Sequence, residues 1–149
     1  MRAAIAFSTC ALLLVGCASS VKTVEVKGKV DDRVQLAGNW KGHYRGLDSG
    51  RNGTVEFKLD ATRHYAFGHV MMYSTKARAA AKPLAIEFVQ VQKGHISGKI
   101  DPYIDPRCNC KVHTEFVGKM TGNAIHGSFT AHIAALHTDQ TGTWVVYRQ

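Results

Sequence analysis

From Leu36 to Gln149, apolar and polar residues alternate with a period of two, and turn signals break the alternation every eight to twelve residues. No segment in that stretch carries a helix-length 3.6-residue period. This pattern predicts an all-β domain with strands at 36–45, 54–60, 65–73, 83–92, 95–101, 111–120, 124–133 and 141–148. The intervening segments hold turn formers: Asp48-Ser49-Gly50-Arg51-Asn52-Gly53, Lys93-Gly94, Asp101-Pro102 with Asp105-Pro106, and Thr121-Gly122-Asn123. Ala77–Ala81 could form one helical turn before Pro83 stops it. Eight consecutive strands with short connections favour an antiparallel up-and-down barrel. Closure removes exposed strand edges, and eight strands leave room for one small ligand. An open β-sandwich is the alternative arrangement.

Residue parity assigns the faces. Val112, Phe116 and Met120 share one phase with Gly118, and Ile125, Phe129 and Ile133 share one with Gly127. A turn at Thr121-Gly122 pairs Gly118 with Ile125 and Phe116 with Gly127, inward against inward. The Lys93-Gly94 turn pairs Val91 with Ile96 and Val89 with Gly98. Leu84, Ile86 and Phe88 lie on the opposite phase from Val91, so a bulge is expected near Phe88, unless both faces of that strand are covered. The expected core aromatics are Trp40, Tyr44, Phe57, Phe67, Phe116, Phe129 and Trp144. Gly38, Gly42, Gly98, Gly118, Gly127 and Gly142 all take inward positions. They permit sharp curvature, or leave a cavity of the ~300 Å³ class that binds small molecules.

The amino terminus is a separate problem. Met1-Arg2 is a short positive start, and Ala3–Val15 is an apolar run interrupted only by Ser8, Thr9 and Cys10. A membrane-spanning helix needs ~20 apolar residues, so this run fits a secretory signal instead. The run closes with Leu14-Val15-Gly16-Cys17, which resembles the bacterial lipobox. That resemblance implies cleavage before Cys17, diacylglycerol on its sulfur, and a place in the bacterial cell envelope. Ala18-Ser19 after the cysteine, with no aspartate, implies the outer membrane. Residues 1–16 are then the signal, 17–35 a lipidated polar tether, and 36–149 the barrel domain. Val21, Val24, Val26 and Val30 could add a short strand within the tether. Losing Arg2 with the signal takes the net charge from +8 to +7. That balance favours anionic envelope surfaces. The cations are dispersed, and nucleic acid is not an expected partner.

Gly38-Asn39-Trp40 on the first strand, and Trp144-Val145-Val146-Tyr147-Arg148 on the last, resemble the lipocalin and avidin (calycin) group. The resemblance implies that Trp40 plugs one end of the barrel with Arg148 packed across it. Thr138-Asp139-Gln140 departs from the lipocalin Thr-Asp-Tyr loop, and the polar residues that hold biotin have no counterpart. The resemblance therefore extends to a barrel and not to a ligand.

Three clusters carry chemistry. Cys108-Asn109-Cys110 holds the thiols that remain if Cys10 leaves and Cys17 is alkylated. They read as a local disulfide in an oxidising compartment, as a metal site with His113, or as free thiols. His43, His95, His113, His126 and His132 alternate with the apolar phase and point outward, His64 lies in a turn, and His69 shares the phase of Tyr65, Phe67, Met71 and Tyr73. Asp101 and Asp105 share a segment as a carboxylate pair, yet each precedes a proline, as turn formers do. No G-x-S-x-G, H-E-x-x-H or glycine-rich phosphate loop occurs, so neither an enzyme nor a cofactor or metal site is expected. The expected function is binding of a small hydrophobic or anionic ligand at the barrel mouth, with Tyr103, Ile104, His69 and Tyr73 as contacts. The alternative is a protein-interaction module, an inhibitor or assembly accessory, with its partner unspecified.

Overall fold

The computed structural model describes residues 23–60, 65–72, 82–105 and 108–149. Its strands are β1 Val24–Glu25, β2 Gly38–Gly46, β3 Asn52–Asp60, β4 Tyr65–Met72, β5 Lys82–Gln92, β6 His95–Asp105, β7 Cys110–Thr121, β8 Ala124–Ile133 and β9 Thr138–Arg148. A helix, α1, spans Val30–Leu36, and a 3₁₀ turn spans Ala134–Leu136. Strands β2 to β9 each pair antiparallel with their neighbours in sequence, and β2 also pairs with β9. The sheet is thereby closed as an eight-stranded up-and-down barrel, and the sandwich alternative is excluded.

Two tight turns fix register on one side. Lys93 and Gly94 both take positive φ, 48° and 74°, as a type I′ hairpin demands. Gly122, at φ 60°, occupies the first central position of the β7–β8 turn. That turn consists of Gly122-Asn123, because Thr121 already pairs with Ala124. The expected register there is therefore corrected by two residues: Gly118 faces Gly127 and Phe116 faces Phe129. A shift of two preserves the face of every side chain, so the inward assignments survive. The register shift in β5 falls between Phe88 and Gln90, which reconciles Ile86 and Val91 as buried residues of one strand.

A second shift, between Ile100 and Tyr103, was not anticipated. The sequence places a loop from Asp101, but β6 runs on to Asp105 with Pro102 in the irregular step. A bulge tolerates proline because the ladder hydrogen bond is already interrupted there. Its consequence is a change of phase. Ile96, Gly98 and Ile100 face inward before it, and Asp105 is buried after it.

Strand β4 also departs from expectation. Leu59 pairs with Ala66 and Phe57 with Gly68, so Ala66, Gly68 and Val70 face the interior. Phe67 and His69 face outward. Phe67 lies opposite Lys58, whose ammonium is 5.9 Å from the ring centroid. Small inward residues accommodate the bulky Phe57 and Leu59 of β3, and the larger side chains of β4 are left on the outer face.

Of the expected tether, 17–35, the described part packs on the barrel, and Val24–Glu25 supply the short strand expected within it. β1 pairs with β4, Val26 is buried, and the Val91 amide donates to the Lys27 carbonyl at 2.8 Å. Within α1, Leu36 is buried, and the Asp32 carboxylate accepts a hydrogen bond from the Lys93 amide at 2.6 Å. This segment covers the end of the barrel where β2 begins and β9 finishes. There Trp40 is 1% exposed, stacks on Phe57 at 6.0 Å, and donates its indole N–H to the Leu36 carbonyl at 2.9 Å. The Arg148 guanidinium lies 4.4 Å from the Trp40 ring centre and donates to the carbonyls of Ala37 and Gln35. The opposite end, where β2 leads into β3, β6 into β7, and β8 into β9, has no such cover among the described residues and is termed the open end.

Candidate functional site: the barrel interior and its open end

A cavity of about 90 Å³ occupies the interior toward the open end. Its wall is mainly apolar and comes from all eight barrel strands, with Val55, Leu84, Ile100, Phe116, Phe129 and Trp144 among its residues. The inward glycines explain its size. A Cβ on Gly127 would lie 2.3 Å from the Trp144 ring, one on Gly142 2.2 Å from Phe129, and one on Gly98 2.4 Å from Phe116. The volume vacated by glycine is therefore taken up mainly by rings lying across neighbouring strands. Trp144 is held in its trough by sharing its indole N–H between the carbonyls of Val117 (3.1 Å) and Ser128 (3.3 Å). The space that remains is well under the ~300 Å³ expected for a drug-sized ligand. It is nearer the ~150 Å³ apolar voids that admit single small molecules.

Polar groups converge at the upper end of this cavity. Arg51, from the β2–β3 connection, and Asp105, from the end of β6, form a buried ion pair. One guanidinium nitrogen lies 2.6 Å and 2.5 Å from the two carboxylate oxygens, and the side chains are 10% and 3% exposed. Asp105 is positioned by the β6–β7 turn, where the Asn109 amide donates to its carbonyl at 2.8 Å and Cys110 pairs with it across the ladder. Asn109 takes φ 52°, and Cys108 and Cys110 on either side are joined, their Cα atoms 5.1 Å apart. That distance lies within the ~4.4–6.8 Å range of disulfides. The structure thus favours the disulfide over the metal and free-thiol alternatives.

Tyr103 enters the same cluster, hydrogen-bonded through its hydroxyl to Thr114 and Arg51. Burial raises its pKa, with Asp105 adding to the rise and Arg51 opposing it. Tyr44 lines the cavity beside it, set edge-on to Phe129 at 5.8 Å. Burial, and secondarily Tyr103, pushes the Tyr44 hydroxyl up to about 12 while Arg51 pulls the other way. Both phenols are therefore neutral hydrogen-bonding groups at physiological pH. On the outside of this end, the Asp48 carboxylate accepts from both the amide and the hydroxyl of Thr141, at 2.7 and 2.9 Å. Those bonds lower its pKa and fasten the β2–β3 connection to β9.

Of the residues singled out in the sequence, Tyr103 lines the cavity. Ile104 is the next residue of the strand, faces outward, and is 47% exposed. His69 sits on the outer face, 3.9 Å from the Glu56 carboxylate, and does not approach the interior. Cys17 and Tyr73 lie outside the described residues. Trp40 and Arg148 meet each other, but at the covered end. His95, His113, His126 and His132 are exposed, and no group of three metal-ligating side chains occurs among the described residues.

Sequence reasoning missed Arg51, Thr114 and the role of Asp105. Arg51 stands in a run of turn residues and looks solvated, and Asp105 precedes a proline and looks like a turn former. The inward phase of β6 beyond Pro102 was the one available signal for Asp105, and it becomes visible only once the bulge is known. No family model, curated protein or solved structure matches the chain.

Proposed function

We propose that this protein binds a small, mainly apolar ligand inside its barrel, admitted through the open end, and that lipid on Cys17 holds it in the bacterial cell envelope. The supporting observation is the interior cavity, with apolar walls and a few convergent polar groups at the accessible end, the usual composition of a ligand site. The anchoring half rests on Leu14-Val15-Gly16-Cys17 alone. Two or more acyl chains give stable membrane attachment. Binding is preferred to catalysis because Arg51, Asp105 and Tyr103 are engaged with one another, and among the described residues no nucleophile is hydrogen-bonded to a base at the cavity. Native mass spectrometry of the protein purified from its own envelope tests both halves. The expected mass includes lipid on a chain beginning at Cys17, plus a small molecule that is lost in an Ala131→Phe variant, whose added ring fills the cavity. An unlipidated chain refutes the anchor, and an envelope-purified protein with no bound small molecule refutes the ligand.

A second reading, an interaction module, rests on a different observation. Leu47, Ile104 and Leu136, in or beside the open-end connections, are 64%, 47% and 53% exposed. A protein adduct in the same spectrum, abolished by charged substitutions at these three positions, favours it.

A further inference from the structure

The polar end of the cavity also restricts the charge of what can enter. The Arg51 guanidinium and the Asp105 carboxylate neutralise each other within the protein, both nearly removed from solvent. Tyr103 is committed to Thr114 and Arg51. Tyr44 differs. The residue lines the cavity, and among the described residues its hydroxyl has no hydrogen-bond partner. We propose that the ligand is an uncharged, mainly apolar molecule carrying one hydrogen-bonding group, received by the Tyr44 hydroxyl, and that the Arg51–Asp105 pair excludes carboxylate analogues. This rests on the reading of the interior as a binding site.

The physical reasons are two. A carboxylate entering this space would leave water and meet Arg51 at the cavity wall, whose charge Asp105 already neutralises from behind. A buried charge without its own partner is strongly disfavoured, and a like charge adds repulsion. A neutral hydroxyl or carbonyl suffers neither penalty and meets a phenol able to donate or accept. A site with an unpartnered polar group discriminates in favour of the molecule that satisfies it.

The test is an NMR titration of the full chain in detergent at pH 7.5 with butan-1-ol and with butanoate, matched in chain length. Butan-1-ol is expected to shift resonances of cavity residues such as Val55, Ala131 and Trp144, with butanoate at least ten-fold weaker. Tyr44→Phe, a change that keeps the ring, is expected to weaken butan-1-ol at least three-fold. Butanoate binding as tightly as the alcohol overturns the exclusion while leaving interior binding intact. An unchanged alcohol affinity in Tyr44→Phe overturns the assignment of Tyr44. If neither probe shifts interior resonances, the binding reading falls, and this inference with it.

Discussion

Replacing Arg51 by methionine should destabilise the barrel far more than a surface ion pair could explain. Exposed pairs contribute ~0–1 kcal/mol, but the Arg51 and Asp105 side chains are 10% and 3% exposed. Removing one partner strands the other charge without water, at a cost of ~3–5 kcal/mol. Arg51→Met also removes a hydrogen bond to Tyr103. Asp105→Leu should cost a similar amount. The double variant is the discriminating case. It removes both charges and presents two apolar side chains to an apolar wall, so it should fall within ~1 kcal/mol of the parent. Urea unfolding followed by tryptophan fluorescence measures this. With a slope of ~1.5 kcal/mol per M, each single variant shifts the midpoint by ~2–3 M. The two singles should then couple by several kcal/mol in a double-mutant cycle. Single losses under ~1 kcal/mol, or a double loss equal to the sum of the singles, would refute the reasoning.

Three further outcomes follow from the same geometry. Arg148→Ala should cost ~2–4 kcal/mol by removing the contact with Trp40 and the charged bonds to Gln35 and Ala37; Arg148→Lys should recover less than half in the same urea assay, because an ammonium lacks the planar fork. Gly127→Ala should cost ~2–4 kcal/mol, since its methyl displaces the Trp144 ring and its hydrogen bonds, and calorimetry together with a change in the near-ultraviolet circular dichroism of Trp144 reads it. The Tyr44 pKa lies above the unfolded value of about 10, at about 12, so its stabilising contribution is complete below pH 10 and is lost as pH rises from 10 toward 12. The loss is roughly 1–2 kcal/mol after allowance for partial exposure, and Tyr44→Phe should flatten that limb of the stability–pH curve.

What was legible in the sequence was whatever strict two-residue alternation governs. Along the inward phases of β7 and β8 every residue but Thr114 is apolar or glycine, and the facing is right even though the turn lies one residue, and the register two, from the expected position. In β4 the alternation misleads, because the phase with the larger side chains is the outer one. Ala66, Gly68 and Val70 are the inward set, whereas the bulkier phase of Tyr65, Phe67 and Met71 faces outward. The bulge at Phe88 could be read because two apolar phases collided within one strand. The bulge near Pro102 could not, since proline and aspartate point to a turn with equal force. The covering segment from Val24 to Leu36 is short and charged, and its burial depends on tertiary partners such as the Lys93 amide for Asp32. The site suffered most, because an ion pair between residues 54 apart in sequence leaves no local pattern.

The central claim, that the closed barrel encloses a space able to take a ligand, is tested most directly by a crystal structure of the protein pressurised with xenon. An interior binding site predicts a xenon atom among Val55, Phe116, Phe129 and Trp144, below the Arg51–Asp105 pair, with the strands unmoved. An interior filled by side chains, with no xenon between the two ends, would contradict it.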